Sequence, residues 1–263
     1  MKKLRWLFLV IVVLLALTVF CCGYRYYSPP TIQRAYQAKP GTPSDTIAVA
    51  FIGDSWAYMH TRHDSVIGGM FEQALHAPVR FRSHGICGLT SKEIYEHIFS
   101  DRGYRPFFRN CRYAVCIVSA GINDTYKKMS IRYYAQSMDG IISFLLENGI
   151  RPVILEIPDY DIRLAYDRQT QVRKLTRRVS MAVNGVGLDC KQDFRTALRQ
   201  LINERGYGAK VDVIGYRSWN RDYLDDLSRL YLADGLHLND DGYARLDSAI
   251  FLTVLPYLVR TVW

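Results

Sequence analysis

The sequence has 263 residues, 49% of them hydrophobic and 22% charged, which suits one globular domain with a full core and one short additional segment. Residues 1–40 contain six cations and no acidic residue, so the rest of the chain carries 28 cations against 25 acidic residues, a formal charge of only +3. This near balance argues against a nucleic-acid-binding protein, because such a protein clusters basic residues on its folded domain.

The chain begins with a basic segment that is followed by an apolar one. Residues 2–5 include three cations, and residues 6–22 contain neither charge nor proline. This run of 17 residues is at the lower limit for crossing a membrane, and the tyrosines at positions 24, 26 and 27 are typical of a membrane interface. We predict that residues 1–27 are a signal anchor and that the positive-inside rule places the following domain outside the cytoplasm, in the periplasm or at the cell surface.

Two other fates of this segment remain open. Residues 16–18 offer a small-x-small site where a signal peptidase can cut, which would release a secreted domain. A lipid anchor on Cys21 or Cys22 would make the protein a lipoprotein, although the bulky Phe20 before Cys21 is unfavourable for it.

Beyond the anchor, residues 28–45 are rich in proline and polar residues and predict a flexible spacer before a single domain of residues 46–263. Short apolar runs in that domain predict strands, and periodic segments between them predict helices. The predicted strands are residues 46–52, 79–82, 113–119, 151–157 and 211–216, and the predicted helices are residues 59–76, 91–99, 131–148, 160–183, 193–205 and a last one after Asp240. This alternation predicts an α/β fold with a parallel sheet covered on both faces, and reactive residues at the carboxyl ends of the strands.

Ser55 follows the first predicted strand in the sequence Gly53-Asp54-Ser55-Trp56. A serine at this point can expose its hydroxyl at the edge of the sheet and direct its own N–H toward a developing oxyanion. Taken alone, the tripeptide is also typical of a turn or a helix cap.

A serine nucleophile needs a base, and Asp234 and His237 lie three residues apart near the carboxyl end. Asp234 can accept the Nδ1 proton of His237 and leave Nε2 free to take the proton of Ser55. The alternative for this pair is a capping aspartate beside a surface histidine.

Two further motifs follow predicted strands. Asn123 lies in Gly121-Ile122-Asn123-Asp124, and its amide can donate to an oxyanion. Gly88 lies in Gly88-Leu89-Thr90-Ser91, where the absence of a side chain lets backbone N–H approach the same point. Either motif alone is also compatible with an ordinary turn.

These four motifs, in this order, resemble the GDSL or SGNH family of serine esterases and lipases, whose letters S, G, N and H correspond to Ser55, Gly88, Asn123 and His237. The resemblance runs from about residue 46 to the end of the chain. It implies a flavodoxin-like three-layer α/β/α fold and hydrolysis of carboxylic esters without a metal or other cofactor. It further implies that Ser55 is the nucleophile, His237 the base and Asp234 its orienting partner, with Ser55, Gly88 and Asn123 forming the oxyanion hole.

The sequence departs from the family pattern in places. Trp56 stands where leucine is common, Leu238 stands where proline is common, and Gly85 competes with Gly88 for the oxyanion role. The pair His60 and His63 has the spacing of metal ligands, but no further ligands cluster beside it, so we interpret it as helix surface or cleft lining.

We therefore expect an extracytoplasmic serine esterase that acts on an acylated small molecule, glycan or lipid, and our leading hypothesis is the removal of acetyl groups from a glycan. An O-acyltransferase and a lysophospholipase or thioesterase are the alternatives with the same chemistry, because the catalytic residues do not specify the acyl chain or the acceptor. A noncatalytic binding protein of the same fold is the alternative from another class, and intact Ser55, Asp234 and His237 argue against it.

Overall fold

The computed structural model describes residues 2–36 and 46–262. At its centre is a sheet of five parallel strands in the order β2-β1-β3-β4-β5. The strands are β1 (Ile47–Gly53), β2 (Val79–Gly85), β3 (Val115–Ser119), β4 (Arg151–Leu155) and β5 (Asp212–Ile214). All five predicted strands are confirmed.

Helices cover both faces of the sheet. The first helix, α1 (Lys2–Tyr27), precedes the domain, and the helices of the domain are α2 (Ser55–His60), α3 (Asp64–Leu75), α4 (Ser91–Ile98), α5 (Arg105–Arg109), α6 (Ile122–Lys127), α7 (Ile131–Glu147), α8 (Ile162–Asp167), α9 (Gln171–Asn184), α10 (Lys191–Glu204), α11 (Tyr223–Leu230) and α12 (Asp240–Val262). One layer includes α3 and α12, which contact each other, and the other includes α4 and α10, which both contact α7. The fold is the expected three-layer α/β/α arrangement with the strand order of flavodoxin-like proteins.

Burial explains why β1 and β3 are almost entirely apolar. Every residue of β3 is buried, and so are the last six residues of β1. A strand covered on both faces has no solvent side to carry polar residues, so its sequence is a continuous apolar run.

Some helix boundaries differ from the prediction. The segment predicted as one helix at residues 160–183 is two helices, because Thr170 caps α9 by accepting a hydrogen bond from the N–H of Arg173 at 3.4 Å. The segment predicted as one helix at residues 59–76 is also divided, into α2, which begins earlier at Ser55, a 3-10 turn at Thr61–His63, and α3. The short helices α5, α6 and α11 lie in segments for which no helix was predicted.

The amino-terminal helix α1 exposes its apolar side chains, and within the described ranges residues Arg5–Tyr27 form one helix long and apolar enough to cross a membrane. Its end contacts the domain, since Lys92 Nζ donates to the carbonyls of Arg25 and Ser28. Of the predicted spacer, residues 28–36 include the buried Pro30, and residues 37–45 lie outside the described residues. The division at residues 27 and 45 stays a prediction.

Strand register brings three loops to one edge of the sheet. Gly53 at the end of β1 is level with Gly85 at the end of β2 and with Ser119 at the end of β3. The loops that follow these strands therefore emerge side by side, and β1 and β3 flank the point where the strand order reverses. Ligands bind at this point in open α/β sheets.

Candidate active site

Ser55 is the first residue of α2, directly after the turn that ends β1. Asp54 caps this helix, with Oδ1 accepting a hydrogen bond from the N–H of Trp56 at 3.0 Å. Gly53 has φ +150°, and a Cβ there would lie 2.1 Å from the carbonyl oxygen of Ser119, so only glycine fits. The sharp turn leaves Ser55 partly exposed at the carboxyl edge of the sheet.

Ser55, His237 and Asp234 form a continuous hydrogen-bonded chain. Ser55 Oγ lies 2.8 Å from Nε2 of His237, and Nδ1 of His237 lies 2.6 Å from Oδ2 of Asp234. Because an ionised carboxylate only accepts, Nδ1 carries the proton and Nε2 is free to accept from the serine hydroxyl. The structure thus brings together the three predicted residues in the order that a base-activated serine requires.

Asp234 orients both the ring of His237 and the loop that carries it. Its Oδ1 accepts hydrogen bonds from the N–H groups of Leu236 and His237, both at 2.9 Å. Partial burial opposes ionisation of Asp234, but the hydrogen bonds from His237 and Leu236 outweigh it and hold the pKa of this carboxyl below its usual value. Asp234 is therefore ionised at neutral pH.

Gly88 lies in the loop after β2 with a positive φ of +79°, and no atom lies within 4 Å of the position that its Cβ would occupy. Lys127 Nζ donates to the carbonyl of Gly88 at 2.8 Å and lies 3.3 Å from Glu93, so the loop is held by a side chain of α6. Gly85 differs, since a Cβ there would lie 2.0 Å from the N of Tyr58. The close packing of β2 against α2 accounts for Gly85, which favours Gly88 as the oxyanion glycine.

Asn123 lies in the first turn of α6, after Gly121 in the loop that follows β3. Gly121 has φ +110°, and a Cβ there would lie 2.6 Å from Cδ1 of Ile157. The side chain of Asn123 is half-buried, and among the described residues it has no hydrogen-bond partner. Its amide is therefore free to donate to a bound substrate.

Asp54, next to Ser55, is a buried carboxyl of the site, and its burial could not be predicted from the sequence. It is fully buried, and its Oδ1 also accepts from the hydroxyl of Ser119 at 3.1 Å. Its Oδ2 has no hydrogen-bond partner among the described residues. Burial raises the pKa of Asp54 to about 6, and the hydrogen bonds from Trp56 and Ser119 oppose this increase.

A second buried carboxyl, Asp124, connects the loops after β2 and β3. It accepts from both the N–H and the hydroxyl of Ser91, at 2.8 and 2.6 Å. Burial raises the pKa of Asp124 to about 7, against the effect of these hydrogen bonds. The only sequence signal for this connection was that both residues follow predicted strands, whose carboxyl ends are expected at one edge of the sheet.

His60 is fully buried, which corrects its interpretation as helix surface or cleft lining. Its Nε2 lies 2.6 Å from Asp247 Oδ1, and its Nδ1 lies 2.8 Å from the hydroxyl of Ser83. Burial alone would lower the pKa of His60, but the hydrogen bonds to Asp247 and Asp64 raise it above its usual value. These contacts connect α2 with α12 and β2, so we assign His60 a structural role.

Comparison with known proteins agrees with this geometry. Residues 51–245 match the model of the GDSL-like lipase/acylhydrolase family, which is most of the chain. No curated protein sequence is a significant match. The chain therefore belongs to the GDSL-like lipase/acylhydrolase family, and it is a hydrolase of ester bonds.

Solved structures of low sequence identity share the fold. A family 3 carbohydrate esterase from Clostridium thermocellum has a TM-score of 0.58 at 14% identity, covering 83% of this chain and 100% of its own. The acetyl xylan esterase AlAXEase has a TM-score of 0.55 at 16% identity, covering 78% of this chain and 98% of its own. A lipase/acylhydrolase from Enterococcus faecalis has a TM-score of 0.54 at 14% identity, covering 80% of this chain and 96% of its own.

Proposed function

We propose that this protein is a membrane-anchored esterase whose catalytic domain lies outside the cytoplasm and which removes short acyl groups, acetyl above all, from a glycan. The observation that carries the proposal is the hydrogen-bonded chain from Ser55 through His237 to Asp234, with distances of 2.8 and 2.6 Å.

In the first half of the reaction, Ser55 Oγ attacks the carbonyl carbon of the ester while its proton passes to Nε2 of His237. The imidazolium that forms donates from Nδ1 to Asp234, whose negative charge stabilises it. The tetrahedral intermediate then expels the sugar oxygen, which takes the proton from Nε2. The products of this half are a free sugar hydroxyl and an acyl group on Ser55.

The negative oxygen of the intermediate needs hydrogen-bond donors. We assign this role to the N–H groups of Ser55 and Gly88 and to the side-chain amide of Asn123, which lie on loops from three adjacent strands. In the second half, a water molecule gives its proton to His237 and attacks the acyl carbon. Release of the carboxylic acid returns the proton to Ser55.

Two observations support a short acyl group on a glycan as the substrate. The proposed anchor α1 would leave the domain close to the outer side of the membrane, where acylated polysaccharide is available. Two of the structures that share its fold are a carbohydrate esterase and an acetyl xylan esterase.

Hydrolysis of p-nitrophenyl acetate, butyrate and octanoate by the full chain in detergent micelles tests the proposal, with the Ser55→Ala variant as control. We expect turnover of the acetate ester that falls as the acyl chain lengthens and that disappears in Ser55→Ala. Release of acetate from acetylated xylan would then extend the result to a glycan.

Other outcomes identify the alternatives. A rate that increases toward octanoate would replace the deacetylase with a lipase or lysophospholipase. Turnover that appears only when a sugar acceptor is added would indicate an acyltransferase.

A further inference from the structure

Helix α9 turns its apolar side to the solvent. Val172, Leu175, Val179 and Val183 follow one another at spacings of three, four and four residues, so they form one stripe along the helix. Their exposed fractions are 76%, 62%, 51% and 63%. An amphipathic helix of a globular domain normally buries this stripe.

The opposite, polar side of α9 is the one that packs against the domain. Ser180 is fully buried, and Asn184 Nδ2 donates to the carbonyl of Lys128 at 2.7 Å. The guanidinium of Arg177 lies 5.3 Å from the centre of the Tyr126 ring. The orientation of α9 is therefore fixed by specific contacts, which leave the apolar stripe exposed.

The stripe adjoins the end of the proposed membrane span. The hydroxyls of Tyr27 in α1 and Ser180 in α9 are 2.5 Å apart. Val183, the last residue of the stripe, lines the same cleft as Phe20 and Tyr24 of α1. Since aromatic residues at the end of a span lie at the membrane interface, α9 would be at the depth of the lipid headgroups.

The charges around the stripe suit an anionic surface. Residues 162–184 contain six cations and a single acidic residue. Arg173 and Arg178 are both exposed, and helical geometry places one on each side of the apolar stripe. Long basic side chains in such positions can reach lipid phosphates while apolar neighbours enter the acyl chains.

We propose that α9 lies in the surface of the membrane that α1 crosses, with its apolar stripe among the acyl chains and its arginines on anionic headgroups. The inference rests on α1 as a retained anchor. Together the two helices hold the catalytic domain in one orientation on the membrane, rather than leaving it free to rotate about a single span.

Spin labels on the full chain, reconstituted in vesicles of phosphatidylcholine and phosphatidylglycerol, test this proposal. The label is placed at Val179→Cys in a background where the four more accessible cysteines, Cys21, Cys22, Cys87 and Cys111, are serine. The matched controls are Val13→Cys in α1 and Gln200→Cys, which is exposed on α10. Collision rates with oxygen, which concentrates in lipid, and with a water-soluble nickel complex report the depth of each label.

We expect the label at position 179 to collide more with oxygen than with nickel, as at position 13, and the label at position 200 to show the reverse. A label at 179 that behaves like the one at 200, while 13 remains in lipid, would overturn the inference and leave the anchor intact. Strong spin–spin coupling at 179 without lipid contact would also overturn it, because a second copy would then cover the stripe. A water-exposed label at 13 would overturn the inference together with the anchor, and none of these outcomes bears on ester hydrolysis.

Discussion

The carboxyl group of Asp124 accepts two hydrogen bonds from Ser91, one from the backbone N–H and one from the hydroxyl. Ser91 begins the helix after the Gly88 loop, and Asp124 directly follows Asn123. Two of the proposed oxyanion donors are therefore held relative to each other by one buried side chain, which acts on their positions without being a donor itself.

Removing this connection in Asp124→Ala should reduce both stability and turnover. Two buried donors of Ser91 would lose their acceptor, and each unpaired buried group costs about 1–3 kcal/mol. Asp124→Asn is the matched control, since its carbonyl can accept from the N–H and its amide can donate to the hydroxyl. Urea unfolding measures the stability of the two variants, and p-nitrophenyl acetate kinetics measure their turnover. Equal losses in Asp124→Ala and Asp124→Asn would show that the hydrogen bonds with Ser91 determine neither property.

Asn123→Ala should lower kcat about a hundredfold or more and leave KM and the fold almost unchanged. Loss of one oxyanion donor has an effect of this size, because the donor acts mainly on the transition state. The side chain has no partner among the described residues, so its removal should change the free energy of unfolding by about 0.5 kcal/mol or less. A variant with a near-normal kcat would remove Asn123 from the oxyanion hole.

Asp234→Asn should preserve the loop but impair the base. The amide oxygen can still accept from the backbone N–H groups of Leu236 and His237. Its NH2 group, however, would donate to Nδ1 of His237 and move the ring proton to Nε2, where it blocks proton transfer from Ser55. We expect kcat to fall at least about a hundredfold with an unchanged urea midpoint, and a loss of stability without a kcat effect would reduce Asp234 to a structural residue.

Asp54 should make the protein less stable as the pH rises. Its pKa is about 6 in the folded state against an ordinary 3.8, so the folded state holds the proton more tightly. Its contribution to stability is present at low pH and is lost between about pH 4 and pH 6, a change of about 3 kcal/mol. Urea unfolding from pH 4 to pH 8 should show this decrease in the native chain and a smaller one in Asp54→Asn, whereas parallel profiles would contradict the assignment.

The sheet could be predicted from the sequence because its strands are buried on both faces. Residues 47–52 and residues 113–118 are apolar without interruption, and a glycine-containing turn follows each run. Once parallel strands are assigned, their carboxyl ends must lie at one edge, which brings Ser55 and Asn123 to the same region.

The remaining features depend on tertiary contacts. Helix α6 has only six residues and begins after Gly121 at positive φ, so its segment has the sequence character of a turn. Segments distant in the chain bury Asp54 and bring Asp124 to Ser91. No local sequence pattern indicates either feature. The break before α9 did have a signal, since Thr170 is a favourable helix cap.

Covalent labelling by a fluorophosphonate, read by mass spectrometry of the full chain and its peptides, tests most directly that Ser55 is an activated nucleophile. Phosphonylation requires a serine whose proton is taken by a neighbouring base. We predict a single adduct on the peptide that contains Ser55, absent from Ser55→Ala and strongly reduced in His237→Ala. An unlabelled native chain, or an adduct that persists in Ser55→Ala, would contradict the account.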